Sequence, residues 1–162
     1  MSTKKIAKHG LTTYEIDSII LCIGINAKTC KASNFSTITK SGWYIILDDS
    51  DGDGHATACK IKDGKPIIYF DSCGVNDLTE IIEKGGDELI TLNYPIQHES
   101  TGLCAWFCLA CILTDPFDNE SFDDFIGGFD HAGLYEDGCA ANEEILSIRL
   151  TDLGLFSCSF IR

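Results

Sequence analysis

A histidine, a carboxylate, an amide and a thiol, His55, Asp71, Gln97 and Cys104, follow one another in an order that suits nucleophilic chemistry. A cysteine attacks as the thiolate, and the first turn of a helix favours that form through unpaired N–H groups and the positive end of the helix dipole. Cys104 opens the apolar run Cys104 to Leu113, which reads as a buried helix. A neutral histidine takes a proton near pH 7, and a carboxylate holds its ring in one tautomer and stabilises the imidazolium. His55 and Asp71 are the candidates for those tasks. Acyl transfer also needs donors aimed at the developing oxyanion, commonly a backbone N–H and a side-chain amide. Gln97, seven residues before Cys104, is placed to be that amide. Each residue alone is ordinary, and one cysteine among nine is a weak signal. The joint arrangement is what points to chemistry.

These residues must be positioned by a small set of elements. Leu11 to Cys22 has apolar residues at helical spacing, with Thr12 or Thr13 able to cap, Glu15 placed for a capping box, and Gly24 as the stop. Asn26 to Ser41 is polar and mixed and reads as an extended loop. Trp43 to Leu47 is rich in strand formers, Asp48 to Gly54 is a turn by composition, and a second strand runs from about His55 to Ile61. Asp63-Gly64 signals a tight turn, and Pro66 enters a third strand, Ile67 to Phe70. Antiparallel pairing about that turn brings His55 and Asp71 together, since residues equidistant from a hairpin turn are neighbours. Asn76 or Asp77 can cap a helix from Leu78 to Lys84 that stops at Gly85-Gly86, and Leu89 to Leu92 reads as a short strand. Pro95 sets an extended approach to Gln97. After the Cys104 helix, closed by Pro116, come helices at Ser121 to Ile126 and Asn142 to Leu150, with Ser and Asn as capping options. The expected fold class is α+β, an antiparallel sheet packed against a central buried helix that bears Cys104, in one domain spanning 1–162.

Composition sets the outer limits. A chain of 162 residues, 44% hydrophobic, can bury one sizeable core. The longest apolar run, Leu103 to Leu113, has 11 residues, too few for the roughly 20 of a membrane span, so no membrane association is expected. No secretion signal is read at the N-terminus. Nine cysteines, an odd number, together with an ample core, lead to an expectation of reduced thiols in an intracellular compartment. The net charge of −13 disfavours nucleic acid as a tight partner. Asp115 to Arg162 holds 11 acidic and two basic residues, a net of −9, which would attract a basic partner instead.

Other motifs carry less. Asp49 to Gly54 matches the opening of an EF-hand loop, but the closing position is Lys60 rather than Glu, so an acidic turn is the reading. Its charges should favour protonated His55. Cys104, Cys108 and Cys111 line one helix, where a zinc site lacks its second knuckle, and they read as core. His98 and His131 read as surface residues. Gly85-Gly86 and Gly127-Gly128 read as helix-end glycines. No cofactor and no metal are expected.

The order of the four residues, 16 residues from His55 to Asp71 and seven from Gln97 to Cys104, resembles that of a clan of cysteine peptidases. The clan contains the adenovirus-type maturation proteases and the ubiquitin-like-protein-specific proteases. Tyr69-Phe70-Asp71-Ser72-Cys73-Gly74 is similar to the clan's acidic strand and Gly54-His55 to its Gly-His pair. The chain departs from the clan at Ala56, where Trp is usual, and at Ala105, where Gly is usual. The resemblance covers roughly Ser41 to Leu113 and lies closest to the proteases of adenoviruses and virophages. It implies a circularly permuted papain-like fold and a cysteine endopeptidase. It further implies processing of capsid precursors near small Gly-containing sites, in a virion or host cytoplasm, with an activating peptide as a possible partner. Two alternatives stand beside it: a protease removing ubiquitin or ubiquitin-like modifiers, and an inactive protease-like interaction module with an acidic tail.

Overall fold

A computed structural model describes residues 10–48, 55–76, 78–97, 102–129 and 136–154, the side chains of 136–140 excepted. The acidic turn over Asp49 to Gly54, the capping residue Asp77, His98 and His131 lie outside the described residues.

Five strands form one sheet in chain order: β1 (Ala27–Lys31), β2 (Gly42–Leu47), β3 (Ala56–Lys62), β4 (Lys65–Phe70) and β5 (Ile90–Thr91). The meander β2-β3-β4 is antiparallel, as expected, but β1 joins β2 and β5 joins β4 in parallel. The sheet is therefore mixed, and the expectation of a wholly antiparallel sheet is corrected. One parallel pair arises because Asn26 to Ser41, expected as a loop, forms β1 and then a 3-10 turn over Ala32–Thr37. Parallel neighbours need a crossover between them, and that turn provides it.

Alternation along the strands sorts the core onto two faces. Trp43, Ile45, Ala56, Ala58, Ile68 and Phe70 face one cluster with the helices α1 (Thr13–Ile23), α3 (Cys104–Thr114), α4 (Asn119–Ile126) and α5 (Glu136–Asp152). Tyr44, Ile46, Cys59, Ile61 and Tyr69 face the other, closed by Phe35 and by Ile81 of α2 (Thr79–Gly85). The protein is α+β with α3 at its centre, every residue from Cys104 to Ile112 being buried.

Local signals account for several helix ends. Thr12 and Glu15 form the expected capping box at α1, and Gly24 closes that helix at φ 67°. At α4 the cap is Asp118, with Ser121 completing the box from inside the helix. Asn142 does not cap: α5 begins at Glu136, and Asn142 lies buried within it, donating from Nδ2 to the Ile96 carbonyl at 2.9 Å. Asn76 is likewise no cap for α2. Its side chain donates to the Leu92 carbonyl at 2.8 Å.

The described cysteines divide. Cys30, Cys59, Cys73, Cys104, Cys108 and Cys111 are thiols. Cys22, exposed at the end of α1, is disulfide-bonded, so the expectation of a wholly reduced set fails there. An exposed thiol does not pack as a core hydrophobe and is open to a partner.

Candidate functional site

Asp71 follows the last residue of β4, and its position is fixed from two sides. The Phe70 ring packs edge-on against Phe125 and Phe122 of α4, with centroids 5.5 and 6.3 Å away. Beyond Asp71 the chain turns sharply through Gly74, at φ 68°. A Cβ there would meet the Tyr94 carbonyl carbon at 2.6 Å, so glycine lets the turn lie against that backbone. The turn aims its own N–H groups at the carboxylate. Cys73 N–H donates to Oδ1 and Asn76 N–H to Oδ2, each at 3.0 Å.

His55 immediately precedes β3, on the strand paired with β4, and its Nε2 lies 2.6 Å from Asp71 Oδ1. The hairpin thus brings these two strand ends together, the register shifting between Lys60 and Ile61 so that His55 reaches Asp71 diagonally. With Nε2 engaged by Asp71, Nδ1 is the ring nitrogen left to serve Cys104. The Asp71 hydrogen bond, then the Cys104 hydrogen bond, push the His55 pKa up to about 10 against the opposing effect of burial. Asp71 itself is fully buried. Burial pushes its pKa up, but the hydrogen bond with His55, aided by the Asn76 and Cys73 N–H groups, holds it below its ordinary value.

Cys104 is the first residue of α3, and Leu103 at the N-cap places no side chain over the helix end. The sulfur accepts the Ala56 N–H at 3.3 Å. Small residues on the sheet, Ala56 and Ala58, allow this close approach of α3 to β3. The far end of α3 is anchored by Asp115, which accepts from Trp43 Nε1 at 2.7 Å and pairs with Lys60 Nζ at 2.9 Å. Burial pushes the Cys104 thiol up, yet the hydrogen bond from His55 and those from the Ala56 and Ala105 N–H groups leave it below an ordinary thiol. The other core thiols move the opposite way. Burial pushes Cys59 up to about 12 and raises Cys108 and Cys111 as well. Cys108 and Cys111 are fully buried, in keeping with their reading as core.

Gln97 reaches the group through Ser72, the residue after Asp71. Its backbone N–H donates to the Ser72 carbonyl at 3.1 Å, and its Oε1 accepts from the Ser72 hydroxyl. That bond fixes the amide so that its NH2 end turns away from Ser72. Both residues are buried. Ile96 beside it is held by its own N–H to the Ser72 carbonyl at 2.9 Å and by Asn142. The structure therefore joins His55 to Asp71, seats the Cys104 sulfur on the Ala56 N–H beside His55, and ties Gln97 to the group through Ser72. Sequence reasoning missed Ser72, Asn76 and Asn142. Ser72 adjoins the carboxylate and was open to notice, whereas Asn142 acts from a distant helix.

Such a group can hold a thiolate beside an imidazolium, with a buried carboxylate behind the ring. Thr57 Oγ1 is a further buried polar atom on β3, with no partner among the described residues. A search of family models finds none that matches the chain, and a search of curated proteins finds no match either.

Proposed function

We propose that the protein is a cysteine endopeptidase of the circularly permuted papain-like type. The observation that carries this reading is that His55 Nε2 lies 2.6 Å from the buried carboxylate of Asp71 while the helix-start sulfur of Cys104 accepts the N–H of Ala56, the residue next to His55, at 3.3 Å. The Cys104 thiolate attacks the scissile carbonyl carbon, and the carbonyl oxygen becomes an oxyanion stabilised by the Cys104 N–H and the Gln97 NH2. The His55 imidazolium gives its Nδ1 proton to the departing amine, leaving a thioester on Cys104. Water then attacks the thioester, its proton passing to His55, and the acid leaves as the thiolate is restored. Asp71 keeps the ring turned and stabilises its charged form. Proteins with small Gly-containing sites, such as capsid precursors, are the substrates that the resemblance of His55 to Cys104 to the viral maturation proteases favours.

Incubation with capsid precursors and with ubiquitin-like conjugates, each against Cys104→Ala, tests the reading. Cleavage of a precursor by the parent chain and not by the variant supports it. Cleavage of the modifiers alone shifts the substrate class, and cleavage that survives Cys104→Ala removes the proposed nucleophile.

A further inference from the structure

The Cys73 thiol, unlike its N–H, stands beside the site without a part in the proposed chemistry. It lies two residues after Asp71, is half-buried, and is a thiol rather than half of a disulfide. Its sulfur, a ring nitrogen of His55 and a carboxylate oxygen of Asp71 lie within 4.8 Å of one another. Thiolate, imidazole and carboxylate are the donor types that zinc takes, at about 2.3, 2.0–2.1 and 2.0–2.2 Å. Tetrahedral ligation at those lengths puts donors roughly 3.3–3.7 Å apart. The 2.6 Å contact between His55 and Asp71 would open by about an ångström, and a sulfur at the 4.8 Å limit would draw in by a similar amount. The His55 side chain, 30% exposed, is the mobile partner for that change, since Asp71 is fully buried.

We propose that His55, Asp71 and Cys73 form an inhibitory site for a thiophilic divalent cation of the zinc class. The inference rests on the peptidase reading of His55. Binding releases the Cys73 thiol proton and the Nε2 proton of His55 to solvent, and the metal takes their places. The ring keeps one proton, on Nδ1, the nitrogen turned to Cys104. It then has no lone pair with which to accept a proton from attacking water, and Asp71 no longer supports an imidazolium. Cys104 itself stays unligated, which separates this site from simple capture of the nucleophile by metal.

Cobalt(II) is a suitable probe, because a thiolate ligand gives it a sulfur-to-metal charge-transfer band. Cobalt(II) and then zinc are titrated into Cys104→Ala, and into the same chain carrying Cys73→Ser or His55→Ala in addition. The expected result is one equivalent of cobalt(II) with a thiolate band in Cys104→Ala, displaced by zinc. Cys73→Ser should abolish the band, and either added substitution should weaken binding by more than about tenfold, the loss that even an outer-shell partner's removal brings. Absence of the band in Cys104→Ala, or its persistence unchanged with Cys73→Ser, overturns the site. The His55→Ala arm decides the matter if Cys73→Ser fails to fold. The readout uses protein without the nucleophile, so its failure is distinct from failure of the peptidase reading, which substrate cleavage judges.

Discussion

His55 Nε2 and Asp71 Oδ1 are 2.6 Å apart across the open end of one hairpin, the carboxylate fully buried and the ring part-exposed. That relationship sets the charge state of the site, because the Asp71 hydrogen bond is the largest influence raising His55 to about 10. It also sets where Nδ1 points, since one ring nitrogen is committed to Asp71.

Stability should depend on pH through this pair. A histidine whose folded pKa is raised from 6.5 to about 10 stabilises fully below 6.5 and loses that contribution as pH climbs through about 10. Asp71, lowered in the fold, contributes above the ordinary carboxylate range and loses its share in acid. Asp71→Asn should therefore cost about 1–3 kcal/mol where the pair is intact, near pH 5–6. The gap in urea midpoints between the parent chain and Asp71→Asn should narrow towards pH 10 and towards strong acid. A gap that stays constant from pH 5 to 10 contradicts the assignment.

Ser72 should act as a positioning residue rather than a reacting one. Removing an oxyanion donor costs about 10²–10³ in kcat, the effect expected of Gln97→Ala. Ser72→Ala leaves the amide in place but unfixed, so kcat should fall by less and KM should hold. Ser72→Thr keeps the hydroxyl and should restore part of the rate. If Ser72→Ala alters only the melting temperature, the bond to Gln97 Oε1 has no part in orienting the amide.

The turn that seats Asp71 depends on Gly74. A methyl group there meets the Tyr94–Pro95 backbone at under 3 Å, and the residue sits at φ 68°. Gly74→Ala should destabilise the fold by more than about 1 kcal/mol, as Ala does where φ is positive. It should also lower the His55 pKa, because Asp71 moves with the turn. Chemical denaturation and the His55 NMR titration read the two effects separately. A destabilised variant with an unmoved His55 titration detaches the turn from the site.

Much of what positions the site was legible because it is local. Thr12 with Glu15, Gly24, the Asp63-Gly64 hairpin and the all-round apolar run from Cys104 each carry their signal within a few residues. The hairpin brings together the strand ends that carry His55 and Asp71, although a register shift between Lys60 and Ile61 leaves the two residues diagonal rather than directly opposite. What escaped is non-local. Ala27-Lys28-Thr29-Cys30-Lys31 has no strong strand pattern and becomes β1 by pairing in parallel with β2. Asn142 reads as a cap from its neighbours, yet it is buried because the Ile96 carbonyl, 46 residues away, needs a donor. The mixed sheet follows from the same limit, since both parallel pairings depend on partners that lie beyond a crossover.

The central claim is that Cys104 and His55 share a thiolate–imidazolium pair, and the alkylation rate of Cys104 by iodoacetamide as a function of pH tests it most directly. Peptide mass spectrometry would follow each cysteine in the parent chain and in His55→Ala. The pair predicts that Cys104 reacts well below the pH at which an ordinary thiol ionises, that Cys59 stays unreactive, and that His55→Ala moves the Cys104 profile to higher pH. A Cys104 profile that titrates like an ordinary thiol and is unchanged by His55→Ala would contradict it.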